Sequence, residues 1–318
     1  MAQMSAHISD VIAVRPGDGF DHWHQVTCRD FSRTECRRVP HHWFRARIAI
    51  RQFGALHIND IWSATPEGEG ISVIRSPSDI RKDPRDHFML WFARGGETIF
   101  TQCGREAPLR PGDMMLHDQS QPFTLAFGPR ARAIMVSMPR ALLTARLPDA
   151  ATLTARAIPR TSKHGALCNT FIRQMTDIDD VSDTAVERLS QSTLDLFATT
   201  LESELVAEAP RGDPRLERAK TYIRAHLHDP DLDLETIAKA QNMAPRTLNR
   251  LFAAEATTPI RWLWQQRLAL SYRALSEGQV QQVTDAALNF GFSDLSHFSR
   301  AFKAAFGKSP HEVKRRSY

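Results

Sequence analysis

Cysteine is scarce in this chain. Four occur in 318 residues, Cys28, Cys36, Cys103 and Cys168, with no repeated spacing among them. That leaves no disulfide scaffold, and the expectation is reduced thiols packed as small apolar groups. Cys28 and Cys36 with His41 and His42 match no zinc-finger or knuckle spacing, so no metal is expected there. Long apolar runs are missing as well. No stretch reaches eighteen residues, and Met1–Gly19 has no basic start followed by an apolar block. Neither membrane spanning nor export is expected, and the chain is read as cytoplasmic. A nucleophile elbow, a phosphate-cradling P-loop and a dinucleotide fingerprint are all absent.

Excess positive charge is absent from most of the chain and present at one end. Residues 1–210 hold 24 Lys+Arg against 25 Asp+Glu, whereas residues 211–318 hold 17 against 11. A basic excess confined to one segment is the footprint of a part that neutralises phosphates.

Within that segment, Val283–Pro310 reads VTDAALNFGFSDLSHFSRAFKAAFGKSP. Val283, Ala286, Ala287 and Phe290 fall on one face of a short helix, which Gly291 ends in a left-handed turn. Ser293 stands at the N-cap position of a second helix, with Asp294 in its first turn. Leu295, Phe298, Phe302, Ala305 and Phe306 share one face of that helix. Ser296, Ser299, Arg300 and Lys303 share the other. Two short helices across a glycine turn describe a helix-turn-helix, and serines with an arginine suit base edges. The pattern occurs twice. Ile237–Pro259 repeats an alanine four residues before a turn residue (Asn242), an apolar-x-Arg-x-Phe core (Leu248, Arg250, Phe252) and a hydroxyl-proline close (Thr258-Pro259). Arg250 and Arg300 are 50 positions apart. In the first copy Arg246, Asn249, Arg250 and Ala253 share the solvent face.

At these residues the chain resembles the AraC/XylS family of transcription regulators. The resemblance implies two helix-turn-helix units joined by a long helix and seated in successive major-groove segments of double-stranded DNA. Carried over by position, Arg246, Asn249 and Arg250 read bases from the first recognition helix, and Leu295, Ser296, Ser299 and Arg300 from the second. Lys303 and Lys308 are expected to contact phosphates. Two departures stand in the first copy: Ala244 replaces a capping serine, and Ala256 replaces a glycine.

Upstream, the hydrophobic period changes from helical to alternating after a short helix expected around Asp21–Phe31. Phe44, Ala46, Ile48 and Ile50 alternate with Arg45, Arg47 and Arg51, which marks a half-buried strand. Leu56–Trp62 and Ile71–Ile74 read as further strands, and His87–Ala93 as a strand buried on both faces. Gly95-Gly96 is expected to turn a tight hairpin into Thr98–Cys103. Pro111-Gly112-Asp113 turns into Met114–Leu116, and Pro122–Phe127 and Ala133–Met138 follow. Short strands at this spacing form a β-sandwich or barrel. Gly104-Arg105, Leu109-Arg110-Pro111-Gly112-Asp113, Asp118, Pro122 and Met138-Pro139-Arg140 resemble the cupin-type sensor domain of many AraC/XylS regulators. That likeness implies a small effector inside the barrel: an aromatic acid, an amine or a sugar. Trp62, Arg75, His87, Trp91 and Met135 lie on the strands and are the candidates to touch it. A metal cupin would need paired histidines and a carboxylate ahead of His117, and only His87 precedes it. No catalytic residue, cofactor or metal is assigned.

Helical period returns at 162–208. Thr184 and Glu187 can form a capping box, and an apolar stripe follows that includes Leu189, Leu196, Phe197 and Leu201. The stripe packs most simply on its own barrel or the preceding helix, while the resemblance implies a dimerising helix. Residues 1–160 are thus expected to form the sensor domain and 161–206 a helical, dimerising extension. A linker at 207–214 and the all-α DNA-binding domain at 215–318 follow, the whole being an α+β multidomain chain. The expected partners are operator DNA, a small effector, RNA polymerase and a second copy of the chain. A metal-dependent cupin enzyme or a DNA-repair protein carrying a DNA-binding appendage is the alternative.

Overall fold

The alternation that begins at Phe44 becomes a strand whose arginines Arg45 and Arg47 face water while Ala46 and Ile48 are buried. It belongs to a computed structural model that describes residues 6–12, 18–25, 27, 32–37, 43–176, 178, 181–206, 213–255 and 257–315. The chain divides into two compact units. One comprises Met1–Met138, Leu153–Val181 and Leu196–Ala207; the other comprises Pro139–Thr152, Ser182–Asp195 and Glu208–Tyr318.

The first unit is a sandwich of two antiparallel sheets. Its strands are β1 (Ala6–Ile12), β2 (Glu35–Arg37), β3 (Arg45–Phe53), β4 (Leu56–Ala64), β5 (Ile71–Arg75), β6 (His87–Gly95), β7 (Thr98–Gln102), β8 (Arg105–Leu109), β9 (Met114–Asp118), β10 (Phe123–Phe127), β11 (Arg130–Pro139) and β12 (Ala157–Ile158). One sheet runs β1-β3-β4-β11-β6-β9-β12 and the other β2-β5-β10-β7-β8. Strand β6 is apolar on both faces because it lies inside the larger sheet. Met89, Trp91 and Ala93 join the sandwich core, and Phe92 on the opposite face meets the Phe197 ring at 5.9 Å between centroids. The Gly95-Gly96 turn is not a hairpin. Gly96 takes φ +69°, but β7 pairs with β8 and β10, so the turn carries the chain from one sheet to the other. The hairpin is made one turn later, where Cys103 and Gly104 are both left-handed between β7 and β8.

Helix α1 (Asp18–Gln25) begins ahead of the expected Asp21 and stops at Gln25, and 28–31 lie outside the described residues, as do Cys28, His41 and His42. Helices α2 (Pro77–Lys82), α3 (Arg140–Thr144), α4 (Lys163–Thr176) and α5 (Asp183–Leu201) follow. The start of α5 is held by Ser182, whose Oγ accepts from the Ala185 amide, rather than by a Thr184–Glu187 box. Of the stripe on α5, Phe197 and Leu201 are fully buried, while Leu189 and Leu196 are half-buried. The first two are therefore core and not a free dimer face.

The second unit holds α6 (Pro214–Ala225), α7 (Leu234–Ala240), α8 (Pro245–Ala253), α9 (Pro259–Ser276), α10 (Val283–Asn289), α11 (Leu295–Phe306) and α12 (Pro310–Arg315). Of the 207–214 segment, 207–212 lie outside the described residues, as does Ala256. Leu216, Ile223, Ile237, Leu248, Phe252 and Trp262 form the core of the first half. In the second half Phe292, Phe298, Phe302 and Phe306 pack ring to ring, and Tyr272 of α9 lies 4.6 Å from the Phe306 ring. Upstream segments complete this unit. Glu187 is buried and accepts from the Tyr272 hydroxyl at 2.7 Å and from Gln191 at 3.0 Å. The Lys220 side chain is wholly buried and donates to Asp149, to Glu255 at 2.7 Å and to Glu217 at 3.2 Å. Burial alone would depress its pKa, but Glu255 and Asp149 raise it above the ordinary value, so the ammonium stays charged.

Candidate DNA interface and effector cavity

Each recognition helix is set by its own turn. In the first copy Asp233 caps α7 by accepting from the Thr236 amide, and Asn242 takes φ +52° to reverse the chain. Pro245 then opens α8, whose N-cap residue Ala244 provides no side-chain bond. Leu248, Leu251 and Phe252 point inward, which leaves Arg246 and Arg250 exposed and Asn249 half-buried.

In the second copy Gly291 is left-handed at φ +74°, and a Cβ there would meet the Leu227 carbonyl at 2.7 Å and the Arg267 guanidinium at 2.8 Å. Buried Arg267 in turn donates to the Leu227 and Asp229 carbonyls, tying the α6–α7 connection of the first copy to the turn of the second. The cap of α11 is Asp294 and not Ser293. Its Oδ1 accepts from the Ser296 and His297 amides at 2.7 and 3.0 Å, and those bonds hold its carboxyl below the ordinary carboxylate range. Phe298, Phe302 and Phe306 are buried, while Ser296, Arg300 and Lys303 are exposed and Ser299 is half-buried. Leu295 does not join the apolar face; it is 42% exposed at the start of the helix, beside the polar residues. Lys308 is buried and so does not present a free ammonium for phosphate. Arg246, Arg250, Arg300 and Lys303 make no ion pair among the described residues. Cations without a close ion pair need not surrender one to bind a phosphate or a guanine edge.

A cavity of about 50 Å³ lies between the two sheets of the sandwich. Trp91 and Met135 line it, as the sequence suggests, together with Trp23, Met89, His117 and Phe127 among others. Trp62, Arg75 and His87 do not. Ile61 takes the inward place on β4 and Trp62, its neighbour, is 37% exposed. Arg75 is buried but committed: its guanidinium donates to the carbonyls of Gln119, Arg33 and Asp83, joining three stretches of chain. His87 stands at the start of β6, outside the lining. His117, read only as a failed metal ligand, and Trp23, on a helix outside the strand pattern, both belong to the cavity wall. Only the inward parity of β9 and the docking of α1 reveal them. The Trp91 Nε1–H donates to His117 Nδ1 at 2.7 Å. Burial, helped by the charge of Arg75, pushes the His117 pKa down to about 3. Among the described residues, the one group of carboxylates close enough to share a cation is Asp149, Glu217 and Glu255, and Lys220 already occupies its centre. No helix among the described residues is long and apolar enough to cross a membrane.

A sandwich with a cavity lined by aromatic side chains, in one chain with paired helix-turn-helix units, defines a ligand-sensing DNA-binding protein. Residues 23–202 match the AraC-binding-like domain and residues 237–316 a helix-turn-helix domain. The chain belongs to the AraC/XylS family of transcription regulators. It is 33% identical over 301 residues to the transcriptional activator NphR of a Rhodococcus species, covering 92% of this chain and 88% of that one. It is 24% identical over 232 residues to a XylDLEGF operon transcriptional activator of Pseudomonas putida, covering 69% and 72% of the two chains. The crystal structure of the AraC-like transcriptional activator CuxR shares the fold at a TM-score of 0.57 and 20% identity, over 85% of this chain and 96% of that one. None of these likenesses supports the enzyme or repair alternatives.

Proposed function

We propose that this regulator is a cytoplasmic activator that binds operator DNA through α8 and α11 and answers to a small effector in the sandwich cavity. Arg246, Asn249 and Arg250 read bases from the first helix; Leu295, Ser296, Ser299 and Arg300 read them from the second, with Lys303 on phosphate. The observation that carries this reading is the set of exposed cations, without an ion pair among the described residues, on two helices whose opposite faces are buried. The relatives named as activators support the direction of control, which implies contact with RNA polymerase. Self-association is proposed through the half-buried Leu189 and Leu196, with Phe197 and Leu201 withdrawn into the fold. The effector acts only if it binds one arrangement of the regulator better than the other.

Footprinting of the full chain on the DNA upstream of neighbouring genes, across a salt series, tests the proposal. Protection of two adjacent major-groove segments, with about a tenfold or greater preference over random DNA, is expected. Arg300→Ala should lose about 1–3 kcal/mol on the operator and little on random DNA, whereas Lys303→Ala should weaken both alike. Equal losses on the two DNAs for Arg300→Ala would remove its base-reading role.

A further inference from the structure

The cavity wall carries two buried N–H groups with no partner. Tryptophan nitrogen is a donor only, so the bond from Trp91 requires His117 Nδ1 to be the unprotonated nitrogen. His117 is therefore neutral and bears its proton on Nε2, and that atom is buried without a hydrogen-bond partner. Trp23 Nε1–H is likewise buried and unpartnered. Both side chains line the cavity. Orphaned buried donors are uncommon in folded proteins, and a pair on one cavity wall points to an acceptor supplied from outside the chain. Among the described residues the same lining contains no Lys, Arg, Asp or Glu. Arg75, whose charge acts on His117, spends its donors on three carbonyls and has Asp83 3.7 Å from its Nη1. An ion in this space would lose its hydration without gaining a counter-charge. Trp23, Trp91, Phe123 and Phe127 make the walls flat, and Met89 and Met135 can yield to enlarge a small space.

We propose that the effector is an uncharged, single-ring aromatic molecule carrying a hydrogen-bond acceptor such as a carbonyl oxygen, which the Trp23 and His117 N–H groups bind. This inference rests on the effector reading of the cavity and narrows it, setting aside the aromatic acids, amines and sugars that the family resemblance alone allows.

Isothermal titration of the full chain tests it with benzamide, benzoate, benzylamine and toluene as probes. Benzamide is expected to bind about tenfold or more tightly than benzoate or benzylamine, and more tightly than toluene, which lacks the acceptor. Trp23→Phe keeps a ring and removes one donor, so it should weaken benzamide about tenfold while leaving toluene unchanged; His117→Phe should do the same. Benzoate or benzylamine binding more tightly than benzamide would overturn the neutral-ligand assignment and leave the effector cavity standing. Unchanged benzamide affinity in both variants would overturn the donor pair. If none of the four probes binds, toluene included, the cavity is not an effector site and both readings fall together.

Discussion

Lys220→Met should destabilise the helical unit by about 3–5 kcal/mol. The ammonium is fully buried and answers three carboxylates, of which the Glu255 side chain is 10% exposed and those of Asp149 and Glu217 about 40%. Three charge-assisted hydrogen bonds at about 1.5–3 kcal/mol each reach or exceed that figure, but dehydration of the ammonium offsets part of their sum. What the substitution leaves behind is costlier than what it removes: three acidic groups around an apolar side chain. Burial already raises the Glu255 carboxyl above its ordinary value of 4.5 against the pull of Lys220. Without the ammonium, Asp149 and Glu217 raise it further. The folded variant then holds a proton that the unfolded chain has released, so its stability falls as pH rises from 4.5 through the raised folded value. Urea denaturation followed by far-ultraviolet circular dichroism should show a deficit larger at about pH 8 than at about pH 5. Lys220→Met combined with Glu255→Leu should recover most of the loss, because an apolar replacement leaves no buried charge unanswered. A deficit below about 1 kcal/mol, or one indifferent to pH, would refute the reasoning.

Two further substitutions test the turns. Gly291→Ala must adopt φ +74° and drive its Cβ to 2.7 Å from the Leu227 carbonyl, so thermal unfolding should report a loss of more than about 1–2 kcal/mol, with operator affinity falling in step. Ala244→Ser supplies the hydroxyl that the N-cap of α8 lacks and should stabilise the protein by about 0.5–2 kcal/mol in the same measurement.

The helical half was readable because its rules are local. Caps, left-handed turn residues and threes-and-fours spacing lie within a few positions of one another, and Gly291 and the buried phenylalanines follow from them. One error there is a shift of one residue: Asp294 outcompetes Ser293 for the cap because its carboxylate reaches two amides at once. In the sandwich, strands were readable and partners were not. Nothing in Gly95-Gly96 distinguishes a hairpin from a crossing between sheets; that is decided by β10 fitting between β5 and β7. Strands β1, β2 and β12 carry too few residues or too little alternation to register, and β8 is interrupted by Pro108. Arg75 reads as a ligand for anions until the three carbonyls it serves come together from 33, 83 and 119. Likewise Lys220 looks like any helix-surface lysine until Asp149 and Glu255 arrive from 71 and 35 residues away.

Those separations bear on the order in which the protein is made. Synthesis runs from the amino end, so Asp149 and Glu187 leave the ribosome before Lys220 and Tyr272, the groups they hold in the finished fold. Until the helical segment follows, a buried acceptor and an ion-pairing carboxylate wait in water. A chain cut at 207–212 never brings them together. The upstream piece keeps a glutamate without its tyrosine, and the downstream piece keeps a wholly buried lysine with one of its three carboxylates missing. Fragments chosen for separate expression therefore inherit the gap, and pieces meant to stand alone need Pro139–Thr152 and Ser182–Asp195 supplied with the helical part.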